Sequence, residues 1–371
     1  MHMVKICIVL GTRPEIIKMS PVIKALDDKG LGYFILHTGQ HYSYNMDRVF
    51  FEQLRLPKPK YNLNVGSGTH GEETGRMIMG IEGVLQREQP NVVLVEGDTN
   101  SVLSGALAAV KLGIKVGHIE AGLRSFDRSM PEEINRIVAD LVSDHLFAPT
   151  EGAKQNLSRE GVGEEKIHVT GNTIVDAIHQ NLGLAKDRSE DPDIREGNNG
   201  YFLATLHRQE NVDNPERLKN ILEGLALVSE RLERDIIYPI HPRTRERLQD
   251  FNIRLTNERI KVIDPMDYLS FLRFESGADL IFTDSGGVQE EACILNVPCV
   301  TLRQSTERPE TIKVGANVLA GSDPEKMLKC AEAMLKRNRG WKNPFGDGKA
   351  GGKIVGILED LYTDKSKDET G

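Results

Sequence analysis

The chain has 371 residues, about two and a half times an ordinary domain of ~150 residues, so two domains are expected. Apolar residues make up 39% and charged residues 27%, enough to bury a core in each half, which excludes disordered and small disulfide-held classes. The net charge is -8, from 47 Lys+Arg against 55 Asp+Glu with no basic run, which argues against sequence-independent nucleic-acid binding but leaves room for a local cationic pocket.

The first residues run straight into a strand-like segment and lack the pattern of a signal peptide. Residues 4–10 read as a buried strand, and 14–28 as a helix with Pro14 in its first turn. A strand is expected at 33–36, a helix at 71–89, a strand at 92–95, a helix at 101–112 and a strand at 115–119. A helix from Pro131 to about Ser143 and a short strand at 145–148 complete the first series. Residues 185–200, rich in charge, Asn and Gly, read as a surface connection. A second series then begins, with strands at 201–206, 236–240, 261–263, 280–283 and 299–302 between helical stretches. Residues 353–361 have helical spacing, and the polar tail after them is expected to fray. Strands that are continuously apolar and alternate with helices imply parallel sheets covered on both faces. The expected architecture is α/β: two facing Rossmann-like domains with a ligand cleft between their strand C-termini.

The four cysteines, Cys7, Cys293, Cys299 and Cys330, form no C-x-x-C pair and have no zinc-site spacing, which fits a reducing, cytoplasmic setting. No apolar stretch approaches the length of a membrane span. No metal site emerges, and the turn after the first strand carries one Gly rather than G-x-G-x-x-G, against a dinucleotide cofactor. That turn, Gly11-Thr12-Arg13-Pro14-Glu15, stands where anions meet helix N–H groups in open parallel sheets. Arg13 would project a guanidinium there, and Lys18, one turn on, an ammonium. A plain turn with a surface Arg is the blander alternative.

Asp98, Glu120 and Glu132 stand at two successive strand ends and the next helix start. Singly they read as well as an N-cap, an ion-pair partner of a neighbouring Arg and a helix-dipole acid. Together they converge on one rim, where clustered acids raise one another's pKa and supply a base and an acid near neutral pH. His207 follows the first strand of the second series, and His241 follows the next. The segment Thr283-Asp284-Ser285-Gly286-Gly287-Val288-Gln289-Glu290-Glu291 runs strand, turn, helix. Ser285, Gly286 and Gly287 let a phosphate approach a helix N-terminus, and Glu290 or Glu291 could accept both ribose hydroxyls. Phe271 is a candidate to stack on a base or an ordinary core residue. Arg303 and the segment Thr306-Glu307-Arg308-Pro309-Glu310 are further candidates to line the site.

Taken in order, these motifs resemble the non-hydrolysing UDP-N-acetylglucosamine 2-epimerases. The resemblance covers nearly the whole chain. It rests on the segment from Gly11 to Lys18, Gly39-Gln40-His41, Gly97-Asp98-Thr99, the segment from Gly117 to Arg124, Pro131-Glu132-Glu133, Gly171-Asn172-Thr173, His207-Arg208, 283–291 and 306–310. It implies a fold of the glycosyltransferase-B type, with an N-terminal domain of 1–171 plus 354–371 and a C-terminal domain of 172–353. It implies interconversion of UDP-GlcNAc and UDP-ManNAc by a homodimer, through elimination of UDP to 2-acetamidoglucal and re-addition. Carried over by position, Asp98, Glu120, Glu132, His207 and Lys18 would form the catalytic set. Arg13, Ser285, Gly286 and Gly287 would hold the diphosphate, Glu291 the ribose and Phe271 the uracil, with His241 on the substrate-binding side.

Bacterial members carry a second, activating UDP-GlcNAc site, and Gln40 and His41 fall in that region. The familiar His-Arg-Arg-Glu is here His207-Arg208-Gln209-Glu210, and the loop after His41 also differs. UDP-ManNAc alone is therefore expected to be turned over without added UDP-GlcNAc. Two rival functions stay open at this stage: a transferase using a UDP-sugar donor, and a silent nucleotide-sugar sensor.

Overall fold

The computed structural model describes residues 4–39, 44–186 and 200–363. The chain divides into two compact units, Met1–Gln180 with Phe345–Gly371, and Asn181–Pro344.

The first unit contains the strands β1 (Lys5–Leu10), β2 (Gly32–His37), β3 (Tyr61–Asn62), β4 (Val92–Glu96), β5 (Lys115–Ile119), β6 (His145–Ala148) and β7 (Ile167–Val169). Its helices are α1 (Arg13–Lys29), α2 (Tyr44–Gln53), α3 (His70–Glu88), α4 (Asn100–Lys111), α5 (Pro131–Val142), α6 (Glu151–Arg159) and the start of α7 (Thr173–Lys186). The sheet is parallel in the order β3-β2-β1-β4-β5-β6-β7. The second unit holds β8 (Tyr201–Thr205), β9 (Asp235–Pro239), β10 (Ile260–Ile263), β11 (Leu280–Thr283), β12 (Cys299–Thr301) and β13 (Asn317–Leu319). Between them run α8 (Gln209–Val212), α9 (Pro215–Leu232), α10 (Pro242–Asp250), α11 (Tyr268–Gly277), α12 (Gly286–Ile294), α13 (Pro309–Lys313) and α14 (Pro324–Leu335). This sheet is also parallel, ordered β10-β9-β8-β11-β12-β13. The last helix, α15 (Ala350–Thr363), belongs to the first unit.

Strand order reverses between β1 and β4 in one sheet and between β8 and β11 in the other. At such points the adjoining helices leave on opposite faces, and loops diverge to open a crevice beyond the strand C-termini. Arg13, Lys18, Asp98, His207 and 284–291 follow these four strands; Glu120 and Glu132 follow β5, His241 follows β9, Phe271 lies on α11 after β10, and Arg303 and 306–310 follow β12.

Local chemistry explains the helices that frame the first crevice. Thr12 and Glu15 form a capping box at the start of α1, and Gly30 closes the helix in the left-handed region. Pro21 lies inside α1 and cannot donate to the carbonyl one turn back. The Ser20 hydroxyl donates to Ile17 O instead, at 2.8 Å, so the helix runs on. Here α15 packs against α1, with Gly351 directly over Pro21, where any added Cβ would meet the Pro21 carbonyl at 2.8 Å. The chain returns to the first unit at Phe345. Asn172 N–H donates to Phe345 O at 2.8 Å, and Asp176 accepts from the N–H groups of Ala350 and Gly351 at 3.1 and 2.9 Å. Among the described residues no helix is long and apolar enough to cross a membrane.

Candidate functional site

In the first unit, the β1–α1 turn is tighter than the sequence implies. A Cβ on Gly11 would lie 2.0 Å from Thr38 Oγ1 and 2.2 Å from Ser101 Oγ, so only glycine fits. The N–H groups of Gly11 and Thr12 both donate to Glu15 Oε2 at 2.7 Å, and Thr99 Oγ1 donates to Glu15 Oε1 at 2.5 Å. The helix start expected to receive an external anion thus holds the chain's own carboxylate. Burial pushes the Glu15 carboxyl above its ordinary range, and these donors restrain the rise. Arg13 lies beside it, with its guanidinium 5.4 Å from the centroid of the Phe50 ring.

Lys18 and Glu120 are brought together: Lys18 Nζ donates to Glu120 Oε1 at 2.6 Å and lies 3.3 Å from Glu96 Oε1. Asn172 Nδ2 adds a longer contact to Glu120 Oε1, at 3.3 Å. Glu120 is buried and sits at φ +71°, a left-handed conformation that costs a non-glycine residue on the order of 1 kcal/mol. Its expected alternative role, pairing with a neighbouring Arg, gives way to pairing with Lys18. Glu96 ends β4, and burial drives its carboxyl well above the ordinary range, with Lys18 opposing the shift and Glu120 and Glu15 adding to it. Burial thus favours the neutral form of Glu96.

Asp98 does not cap α4; Thr99 does, accepting from Ser101 N and Val102 N. The Asp98 carboxylate instead pairs with Arg136 of α5, whose other nitrogen bonds Glu133 at 2.8 Å. Glu133 also accepts from the Ser125 and Phe126 N–H groups, both at 2.9 Å, and so folds the loop that precedes α5. Glu132 is half-buried in the first turn of α5.

In the second unit, Asp284 is buried at the end of β11. It accepts from the N–H groups of His207 and Arg208 at 3.0–3.1 Å and from Asn211 Nδ2 at 3.1 Å, while His207 Nδ1 lies 3.3 Å away. Burial alone would raise the Asp284 carboxyl, but His207 and these donors hold it below the ordinary range. Asp284 thus favours the tautomer of His207 that carries hydrogen on Nδ1. The rings of His207 and His241 are 5.8 Å apart, and His241 Nδ1 caps α10 by accepting from Arg243 N at 3.2 Å. Burial, His207 and Arg243 all depress the His241 imidazole.

Ser285 caps α12, and Gly286 and Gly287 form its first turn, with Gly287 exposed. Of the two acids that follow, Glu290 is buried against Arg308 at 2.9 Å, which leaves Glu291 as the half-buried one. Segment 303–310 is locked to α12 by Thr306 Oγ1 donating to Gln289 Oε1 at 2.6 Å. Burial pushes the Glu307 carboxyl up, yet Arg308, Arg303 and Arg208 hold it down to about 2. Phe271 is half-buried and packs against the apolar cluster of Tyr201, Leu203 and Phe274. Gln40 and His41 lie outside the described residues.

Four partners were given no role from the sequence: Glu96, Arg136, Asn172 and Asp284. Arg136 stands one helical turn after Glu132, a spacing that puts the two on one face and offered a signal. Asp284 lay inside the strand–turn–helix segment. Glu96 and Asn172 offered no signal beyond adjacency to motif glycines.

The family model described as UDP-N-acetylglucosamine 2-epimerase matches residues 24–359. The UDP-N-acetylglucosamine 2-epimerase of Methanocaldococcus jannaschii is 60% identical over 363 residues, covering 95% of this chain and 98% of that one. That of Methanococcus maripaludis is 59% identical, covering 96% and 98%. A crystal structure of the M. jannaschii enzyme in complex with UDP-GlcNAc and UDP matches with a TM-score of 0.87, over 95% of this chain and 99% of that one.

Proposed function

The chain belongs to the UDP-N-acetylglucosamine 2-epimerase family, with its two-sheet α/β fold of the glycosyltransferase-B type, and from that premise we propose that it interconverts UDP-GlcNAc and UDP-ManNAc. The single observation that carries the reading is the furnishing of the two switch points. One has acids paired with Lys18 and Arg136; the other has a capped helix start with two glycines and a half-buried Glu291. The first suits sugar chemistry and the second a nucleoside diphosphate.

The C2 hydrogen of the sugar has no adjacent carbonyl and is not acidic. Loss of UDP must therefore run ahead of proton removal and leave positive charge at C1. Asp98, Glu120 and Glu132 serve as the acid/base and charge-stabilising groups on this side. Lys18 fixes Glu120, and Arg136 fixes Asp98. Proton removal and UDP departure on opposite faces give 2-acetamidoglucal. Re-addition of UDP with protonation on the other face inverts C2.

On the nucleotide side, His207, oriented by Asp284, presents Nε2 to the diphosphate. Arg13 and the N–H groups at Ser285, Gly286 and Gly287 neutralise the leaving group. Glu291 takes the ribose hydroxyls, Phe271 lies against the uracil, and His241 supports the diphosphate side. The active form is a homodimer.

Incubation with UDP-GlcNAc and no acceptor tests the activity. UDP-ManNAc is expected to accumulate to an equilibrium mixture; unchanged UDP-GlcNAc would favour a transferase or a sensor.

A further inference from the structure

We propose that His118 is a permanently doubly protonated imidazolium that positions Asp98 and Glu120. The proposal deepens the epimerase reading and rests on it only for the catalytic importance of those two acids.

His118 lies on β5 with no solvent exposure. Its Nε2 is 2.8 Å from the carbonyl oxygen of Gly97 and its Nδ1 is 2.6 Å from Asp140 Oδ1. A backbone carbonyl can only accept, so Nε2 must carry hydrogen. Asp140 faces donors on its other oxygen: Gly122 N–H at 3.1 Å and Arg124 at 2.7 Å. A carboxylate paired with the Arg124 guanidinium and a backbone N–H offers only acceptor atoms to the ring, so Nδ1 must carry hydrogen too. Both ring nitrogens then donate, and the ring is a cation. Burial opposes that charge, but Asp140, the Gly97 carbonyl and Glu120 outweigh it and raise the imidazole above its ordinary value. The charged groups around the ring are Asp140 of α5, Glu120 beyond the end of β5, and Arg124, which reaches the ring only through Asp140.

The two bonds join the two loops that carry the acids. Gly97, at φ +85°, lies between Glu96 and Asp98, and its N–H donates to Ile119 O at 3.1 Å. Its carbonyl is held by His118, so the turn that aims Asp98 is fastened at both polar groups to β5. Through Asp140 the same ring fastens Gly122 and Arg124, and with them the left-handed bend at Glu120. Neutral histidine has one ring hydrogen and could hold only one loop. A buried ion pair is kept where both partners are hydrogen-bonded, as here.

The test is NMR of the full-length protein with ¹⁵N-labelled histidine, with the His118 signals assigned by their loss in His118→Gln. Both ring nitrogens are expected in the protonated range and unmoved between about pH 6 and about pH 9. One nitrogen in the unprotonated range would overturn the proposal. In parallel, His118→Gln is expected to lower kcat about a hundredfold, with KM for UDP-GlcNAc and affinity for UDP little changed. Wild-type kcat in that variant would overturn the positioning role. Asp140→Asn removes the counter-charge: His118 should then titrate near neutral pH, with activity falling on the alkaline side as the ring loses a proton. A two-proton ring in a wild-type protein that turns over no UDP-GlcNAc would refute the epimerase reading while leaving the imidazolium standing.

Discussion

Lys18 sits between two carboxyl groups at unequal distances. Glu120 takes its short bond at 2.6 Å, whereas Glu96, 3.3 Å away, is pushed by burial toward the protonated form. The amide of Glu96→Gln mimics a neutral acid, so its turnover should stay within about tenfold of wild type. Asp98→Asn, Glu120→Gln and Glu132→Gln should each lower turnover by orders of magnitude with UDP binding largely intact, as read by steady-state kinetics and calorimetry. A near-normal rate in any of these three removes that residue from the mechanism. The strand-end acids Asp98 and Glu120 were legible in the sequence because parallel sheets gather ligands at strand C-termini. The partners that set their states were not. The Thr12-x-x-Glu15 spacing fits a capping box, but nothing in it shows that Glu15 also takes the Gly11 N–H, that Asp98 meets Arg136 rather than capping α4, or that Glu96 is buried. Those outcomes depend on burial and side-chain direction, which only packing decides.

At the scale of elements, the docking of α15 carries its own pH response. His145 Nε2 lies 3.0 Å from the Tyr362 hydroxyl, and the His145 and His168 rings are 6.3 Å apart. Burial holds both imidazoles below the ordinary value of 6.5, and His168 further depresses His145. Below that value the unfolded chain binds protons that the folded chain resists, so the folded state binds fewer. Stability is thus fully present above 6.5 and is lost as pH falls through the depressed folded values. Thermal melts should show a lower Tm at about pH 5 than at about pH 7.5, by less in His145→Phe than in wild type. An equal drop in the variant would locate the acid sensitivity elsewhere. Elements were legible where an apolar run was continuous or a Pro marked a helix start, while α2 and α7 went unread despite their length. The buried run of β4 and the Pro-led start of α5 declare themselves, and β5, β6 and β11 stand as expected. The strands β3, β7 and β13, of two or three residues each, went unread, because so short a run shows no periodicity and owes its conformation to a neighbouring strand.

For the molecule as a whole, the low charge of -8 takes on a local meaning. Each unit places basic side chains beside its switch point: Arg13 and Lys18 on α1 in one, Arg208 after β8 in the other. The proposed homodimer needs an apolar surface as well. In the first unit α3 packs on α4 and α4 on α5, and Met79 and Leu141 of this layer are 67% and 70% exposed. Light scattering should report a dimer, and a Met79→Glu, Leu141→Glu double variant should shift it toward monomer; a wild-type monomer would refute the assembly. The central claim is that C2 inverts by losing its proton and taking up a solvent-derived one on the opposite face, around departure of UDP. NMR of UDP-GlcNAc turnover in D₂O tests it most directly. Deuterium is expected at C2 of both UDP-GlcNAc and UDP-ManNAc, whereas epimerisation that retains the original hydrogen would contradict the account.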